Sequence, residues 1–175
     1  MTGRSVAAAT HGPAAREDEM SRVYGEGIAA GLLGAATIAV WFVIVDTING
    51  RPLFTPTVLG TALFRGGAGL DHPATLPISY EMVLLFTWVH CMVFAAIGGV
   101  AARLLAFAEQ TANVAFGIVL LFVVFEFGFV AVTTILAEDV LSSLAWPAVL
   151  VGNLLAAATM AIYFWRRHPD LRIEP

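Results

Sequence analysis

Two side chains of this sequence stand where ionisable groups are rarely found. Glu126 lies within FEFGF and His90 within TWVHCM, each near the middle of a long apolar run. A charge at the centre of a membrane helix costs about 2.5–3.5 kcal/mol on insertion scales, so such residues mark proton transfer, ligand binding or interhelical pairing. Asn153 and Thr37 fall at similar depth in two further apolar runs. At about 1.5 Å of rise per residue, all four lie roughly 12–15 Å from one end of their segments. The spacing predicts one buried polar layer of Glu126, His90, Asn153 and Thr37. It would act as a proton relay or binding site, or as a structural clasp whose interhelical hydrogen bonds are worth about 0.6–2 kcal/mol each.

Other chemistry has less support. Cys91 is the single cysteine, which excludes an intramolecular disulfide and CxxC redox chemistry. His90 is the one histidine inside an apolar run; His72 falls in a connection, and His11 and His168 fall in the tails. Haem would therefore require His90 as a lone axial ligand, or a ligand set shared with another subunit. No cofactor and no metal site is predicted. The sequence contains no Glu-x-x-His pair, nucleophile elbow, phosphate loop or HExxH. These features point away from an enzyme, and the lack of a basic stripe points away from nucleic acid.

The elements that would hold such a layer are membrane helices. Of 175 residues, 59% are hydrophobic and 13% charged, with a mean hydropathy of +0.83. A soluble domain carries roughly 25% charged residues. Four apolar segments, about 25–45, 80–107, 112–136 and 144–165, each approach the ~20 residues that cross ~30 Å of hydrocarbon. Short links between the later segments predict an all-α, up-down bundle of four transmembrane helices. Residues 1–24 read as a disordered cytoplasmic tail and 166–175 as a second cytoplasmic tail.

Orientation follows from arginine. In a four-span chain, seven of the nine arginines (Arg4, Arg16, Arg22, Arg103, Arg166, Arg167 and Arg172) share one face, which the positive-inside rule makes cytoplasmic. Tyr24, Tyr163 and Trp165 then form the cytoplasmic aromatic belt, and Trp41, Tyr80 and Trp146 the external one. Lysine is absent while alanine and glycine are abundant, as GC-rich bacterial coding produces. The predicted location is the bacterial inner membrane, with both termini cytoplasmic.

The longest connection, 46–79, is then external. Within it TPTVLGTALFRGG reads as a short interfacial helix, with Thr55 as cap, Pro56 in its first turn and Gly66-Gly67 ending it. Val58, Leu59, Ala62 and Leu63 share one face of that helix. Asp46 and Arg51 flank the Asn49-Gly50 turn and would pin it over the bundle mouth. Asp46, Arg51, Thr55, Pro56, Leu59 and Leu63 are accordingly the candidate docking loop for a partner.

Close helix approach in lipid depends on small residues. Three rows qualify: Gly27, Gly31 and Ala35 on the first span, Cys91, Ala95 and Gly99 on the second, and Ala148, Gly152 and Ala156 on the fourth. An echo also exists between AATIAVWF (35–42) and AATMAIYF (157–164). Both copies are alanine-rich and cross the membrane in opposite senses, so the echo reads as coincidence.

A glycine-rich first span, the words WFVIVDTINGRPLFTPTVLG, a histidine in the second span and VGNLLAAATMAIYFWRRHP together resemble an uncharacterised group of small four-span bacterial membrane proteins. The resemblance covers most of residues 25–169. It implies a fold and a membrane location, and it carries no activity. The function expected from the residues is that of a non-enzymatic accessory or scaffold subunit of a larger inner-membrane complex, such as a bioenergetic one. The partners expected are the bilayer and other membrane subunits or further copies of the chain. The alternatives are a small proton-coupled transporter or channel-like protein using Glu126 and His90, and a haem- or lipid-binding redox protein.

Overall fold

The structure, a computed structural model, describes residues 13–72, 75–110, 128 and 146–168. Among them the chain is all-helical: α1 Pro13–Ile48, α2 Phe54–Arg65, α3 Tyr80–Gln110 and α4 Trp146–Arg167. Three of these helices, α1, α3 and α4, are long and apolar enough to cross a membrane. The predicted span at 112–136 lies outside the described residues. Many large apolar side chains on the three long helices face outward, among them Leu84, Trp88 and Met92 on α3 and Leu150 and Leu154 on α4. A chain whose surroundings are hydrocarbon tolerates that surface; water would not.

The first helix starts earlier than the apolar pattern predicts. Residues 13–24, read from the sequence as disordered tail, continue α1 in place of a boundary near Gly25. Pro13 suits the first helical position because it has no N–H to leave unpaired. The stretch that follows, AAREDEM, is rich in good helix formers. Hydropathy locates where a helix enters lipid, and α1 is already wound when it does.

The α1–α3 seam is set by glycine. A Cβ on Gly27 would strike the Gly98 carbonyl, and one on Gly31 would strike the Phe94 carbonyl. Reciprocally, a Cβ on Gly98 would strike the Gly27 carbonyl. Backbone therefore lies on backbone, and contact dispersion substitutes for the hydrophobic drive that lipid cannot supply. Beyond the glycines, Ala30, Ala101, Ala102, Met160 and Phe164 form one buried cluster. Ala35, Phe94 and Ala156 form the next, with Ile38 and Cys91 at its edge.

Helix α4 runs antiparallel to α1. Gly34 faces the Met160 side chain, and Gly152 leaves room for the Trp41 and Phe42 rings. The start of α1, the end of α3 and the end of α4 thus share one end of the molecule, with Arg22, Arg103, Arg166 and Arg167. Asp46, Arg51, Arg65 and Glu81 occupy the other, where α2 lies.

Candidate functional site

The polar residues of the interior do not all share one level. His90 projects from α3 between Phe86 and Phe94, with ring centroids 5.6 and 4.7 Å away. Its Nε2 lies 3.3 Å from the Ala35 carbonyl of α1. Thr37, two residues on, is at nearly the same height, and its hydroxyl is 3.3 Å from that of Thr159 on α4. Asn153 is half-buried and six residues from Thr159, about 9 Å along the helix axis. It neighbours Gly152 at the level of Trp41, not of His90. Glu126 lies outside the described residues. The expected four-member layer is therefore, among the described residues, a level of His90, Thr37 and Thr159, with Asn153 nearer the α2 end. No group of three or more His, Cys, Asp or Glu side chains able to hold a metal ion occurs among the described residues.

The two threonines are placed alike. Thr37 Oγ1 donates to the Leu33 carbonyl and Thr159 Oγ1 to the Leu155 carbonyl, each at 2.9 Å and each four residues back. Helical threonines satisfy their hydroxyls this way at no cost to the ladder beyond slight bending. The Thr37 hydroxyl proton is thus shared between the Leu33 carbonyl and the Thr159 hydroxyl, which accepts at 3.3 Å. The echo between 35–42 and 157–164 is thus a spatial pairing: its two copies pack on each other with their threonines in contact. Trp41 closes the same seam further on, donating its indole N–H to the Ala148 carbonyl at 2.7 Å.

The second concentration of buried polar groups lies under α2. Asp46, near the end of α1, is only 3% exposed. One carboxylate oxygen accepts from the Thr55 amide and the other from the Thr55 hydroxyl, both at 2.7 Å. The sequence points to Thr55 as the cap of α2, whereas the helix begins at Phe54 behind a left-handed Leu53 with no side-chain cap of its own. The first-turn donors can be accounted for one by one. Phe54 N–H donates to the Arg51 carbonyl, Thr55 N–H to Asp46, Pro56 has none, and Thr57 N–H begins the ladder at the Leu53 carbonyl. Asp46 thus caps α2 from the preceding helix, and its negative charge meets the positive end of the helix dipole.

The remaining contacts fasten α2 on both sides. Arg51 donates to the Leu76 carbonyl at 2.9 Å and lies 4.0 Å over the Phe54 ring. A Cβ on Gly60 would strike the Met82 carbonyl, so α2 rests on the α3 backbone. Ser79 accepts from Met82 N–H as the cap of α3, and its own amide donates to Thr57 Oγ1, both at 3.4 Å. The α2 surface turned inward is Thr55, Thr57, Val58, Gly60 and Thr61. Of the apolar face read from the sequence, Val58 is buried against Leu70 with Leu59 and Ala62 beside it, while Leu63 points outward next to Phe64. Thr57 and Thr61 bury because each hydroxyl donates to its own helix, to the Leu53 and Thr57 carbonyls.

Six residues were expected to dock a partner. Asp46 and Thr55 are buried, Arg51, Pro56 and Leu59 are half-buried, and Leu63 is exposed. The outward apolar edge of α2 is therefore Leu63 with Phe64, ending at an exposed Arg65–Glu81 ion pair of 2.9 Å. Of the small-residue rows, Gly27, Gly31, Gly152 and Ala156 are buried in helix contacts and Ala148 supplies the carbonyl for Trp41. On α3, Cys91, Ala95 and Gly99 adjoin the seam, but its axis runs through Phe94, Gly98 and Ala102. Comparison with known proteins finds no family model, no curated protein and no solved structure that matches this chain.

Proposed function

We propose that this protein is a non-enzymatic accessory or scaffold subunit of a larger membrane assembly, with α2 as its docking element. In this reading the chain crosses a bacterial inner membrane four times, with both termini cytoplasmic and α2 on the external face. The grouping of Arg22, Arg103, Arg166 and Arg167 at one end of the molecule supports that orientation through the positive-inside rule.

The observation that carries the docking role is how firmly α2 is held. Its first turn is capped by a buried carboxylate, its middle sits on the α3 backbone at Gly60, and its flank is tied through Arg51. A connection that only had to span two helix ends would need none of this. A rigid helix that presents Leu63 and Phe64 loses little conformational entropy on binding, which favours a permanent partner.

The test is purification from the native membrane in a gentle detergent, followed by mass spectrometry. A partner held in fixed stoichiometry, and lost from Leu63→Glu/Phe64→Glu while the folded yield is kept, supports the reading. Wild-type protein that carries only copies of itself refutes it.

A further inference from the structure

The two ends of the molecule treat their arginines differently. At the α2 end the protein engages both: Arg51 reaches the Leu76 carbonyl and the Phe54 ring, and Arg65 pairs with Glu81. At the opposite end Arg22 and Arg103 are exposed, and neither has an ion pair or a hydrogen bond among the described residues. Carboxylates are not scarce there, since α1 carries Glu17, Asp18, Glu19 and Glu26. None of them pairs with either arginine, and Glu26 lies 3.3 Å from His168 of α4 instead.

Arg103 is the one arginine of α3, and the glycine seam fixes its place. Gly27 of α1 rests on Gly98, Gly99 and Ala102, so Arg103 stands one residue past the last of these contacts. Three residues before Gly27, the Tyr24 ring lies over Gly99, 3.6 Å from where a Cβ would be. Gly99 and Arg103 are one turn apart on the same face of α3. The Tyr24 ring and the Arg103 stem therefore border one furrow between α1 and α3. Tyr24 is exposed, and its hydroxyl has no hydrogen-bond partner among the described residues. One turn deeper the same two faces carry Ala95 on α3 and the exposed Ile28 on α1.

We propose that Arg103 and Tyr24 hold the phosphate of an anionic phospholipid, with one acyl chain lying along Ala95 and Ile28. The guanidinium fork takes two phosphate oxygens at once, and the phenol O–H donates to a third. Tyrosine suits this level because its ring rests on apolar surface while its hydroxyl meets the headgroups. The preference for an anionic lipid comes from uncompensated charge. A zwitterionic lipid brings an ammonium of its own, which the unpaired Arg22 and Arg103 oppose, whereas an anionic headgroup is attracted by each basic side chain near it. The site lies at the opposite end from α2 and is independent of whether α2 docks a partner.

Native mass spectrometry of the full chain, released from nanodiscs of equal parts phosphatidylglycerol and phosphatidylcholine, reads the site through the lipids that stay bound. The wild type should retain phosphatidylglycerol in preference to phosphatidylcholine. Arg103→Gln should lower phosphatidylglycerol retention about fivefold, the worth of one basic side chain at an anionic surface. Arg103→Lys keeps the charge without the fork and should recover part of that loss. Tyr24→Phe keeps the ring over Gly99 and should cost about threefold, the effect of one hydrogen bond. Arg65→Gln, at the other end, should leave retention unchanged. Arg103 is exposed, so its variants remove no core contact, and their gel-filtration profiles should match the wild type. Displacement of the lipid by excess inorganic phosphate would assign the site to a free anion and overturn the inference. A wild type that retains both lipids equally, or an Arg103→Gln variant that retains as much phosphatidylglycerol as the wild type, would overturn it too.

Discussion

Removing the Asp46 carboxylate should unseat α2 without opening the helix bundle. The structure supplies the magnitude. Asp46 accepts two hydrogen bonds of 2.7 Å from Thr55, and both residues are buried, at 3% and 6% exposure. Asp46→Ala deletes both acceptors and leaves a buried amide and a buried hydroxyl without partners, at about 1–3 kcal/mol for each unsatisfied group. The favourable term at the helix N-terminus, about 0.3–1 kcal/mol, goes with them. Together these terms come to about 2–7 kcal/mol, a melting-temperature loss of roughly 5–28 °C for a chain of this size. Asp46→Asn is the control. Its amide oxygen still accepts from Thr55 N–H, and its NH2 can donate to the Thr55 hydroxyl once that rotates. Only the charge assistance is lost, about 1 kcal/mol or roughly 2–4 °C. The assay is thermal unfolding in mild detergent, paired with hydrogen exchange, which should show lost protection in 54–65 and retained protection along the Gly27–Gly31 seam. Equal melting temperatures for Asp46→Ala and the wild type, or a larger loss for Asn than for Ala, would refute the capping argument.

Further outcomes follow from the other contacts. Gly31→Val should lower folded yield severely, because its Cβ has no space against the Phe94 carbonyl; purification yield and gel-filtration profile check this. Trp41→Phe keeps the ring in the Gly152 gap but drops the N–H bond to Ala148, a loss of about 1 kcal/mol by thermal unfolding. A Thr37→Val, Thr159→Val double-mutant cycle should show coupling within about 0.6 kcal/mol, the average for interhelical pairs, since each hydroxyl already serves its own helix. Arg65→Ala should change the melting temperature by less than about 4 °C, because its pair with Glu81 is solvent-exposed and worth at most about 1 kcal/mol.

How far these features were legible in the sequence depends on how local they are. Apolar runs long enough to cross a bilayer are a local property, and α3 and α4 begin and end within a few residues of the expected bounds. The helix at 54–65 was legible for the same reason, through Pro56 and Gly66-Gly67. The cap of that helix was not, because Asp46 reaches Thr55 across a turn and nine residues of sequence. The α3 row of Cys91, Ala95 and Gly99 has the same spacing of four as the observed axis through Phe94, Gly98 and Ala102, and the two rows lie side by side on the helix. Residue size selected the wrong one, because Phe94 is large and yet it is its backbone carbonyl that Gly31 meets. Thr159 gave no signal by itself, since threonine in an apolar helix is ordinary. The signal was in the echo, where it occupies the position of Thr37, and antiparallel direction is what a two-fold-related pair requires.

The central claim is that the chain works as a fixed part of a larger assembly, and native mass spectrometry of material extracted gently from its own membrane tests it most directly. The account predicts a complex whose mass includes a second protein in integer ratio, dissociating when Leu63 and Phe64 are replaced by glutamate. A spectrum showing only this chain, alone or in integer multiples, would contradict it.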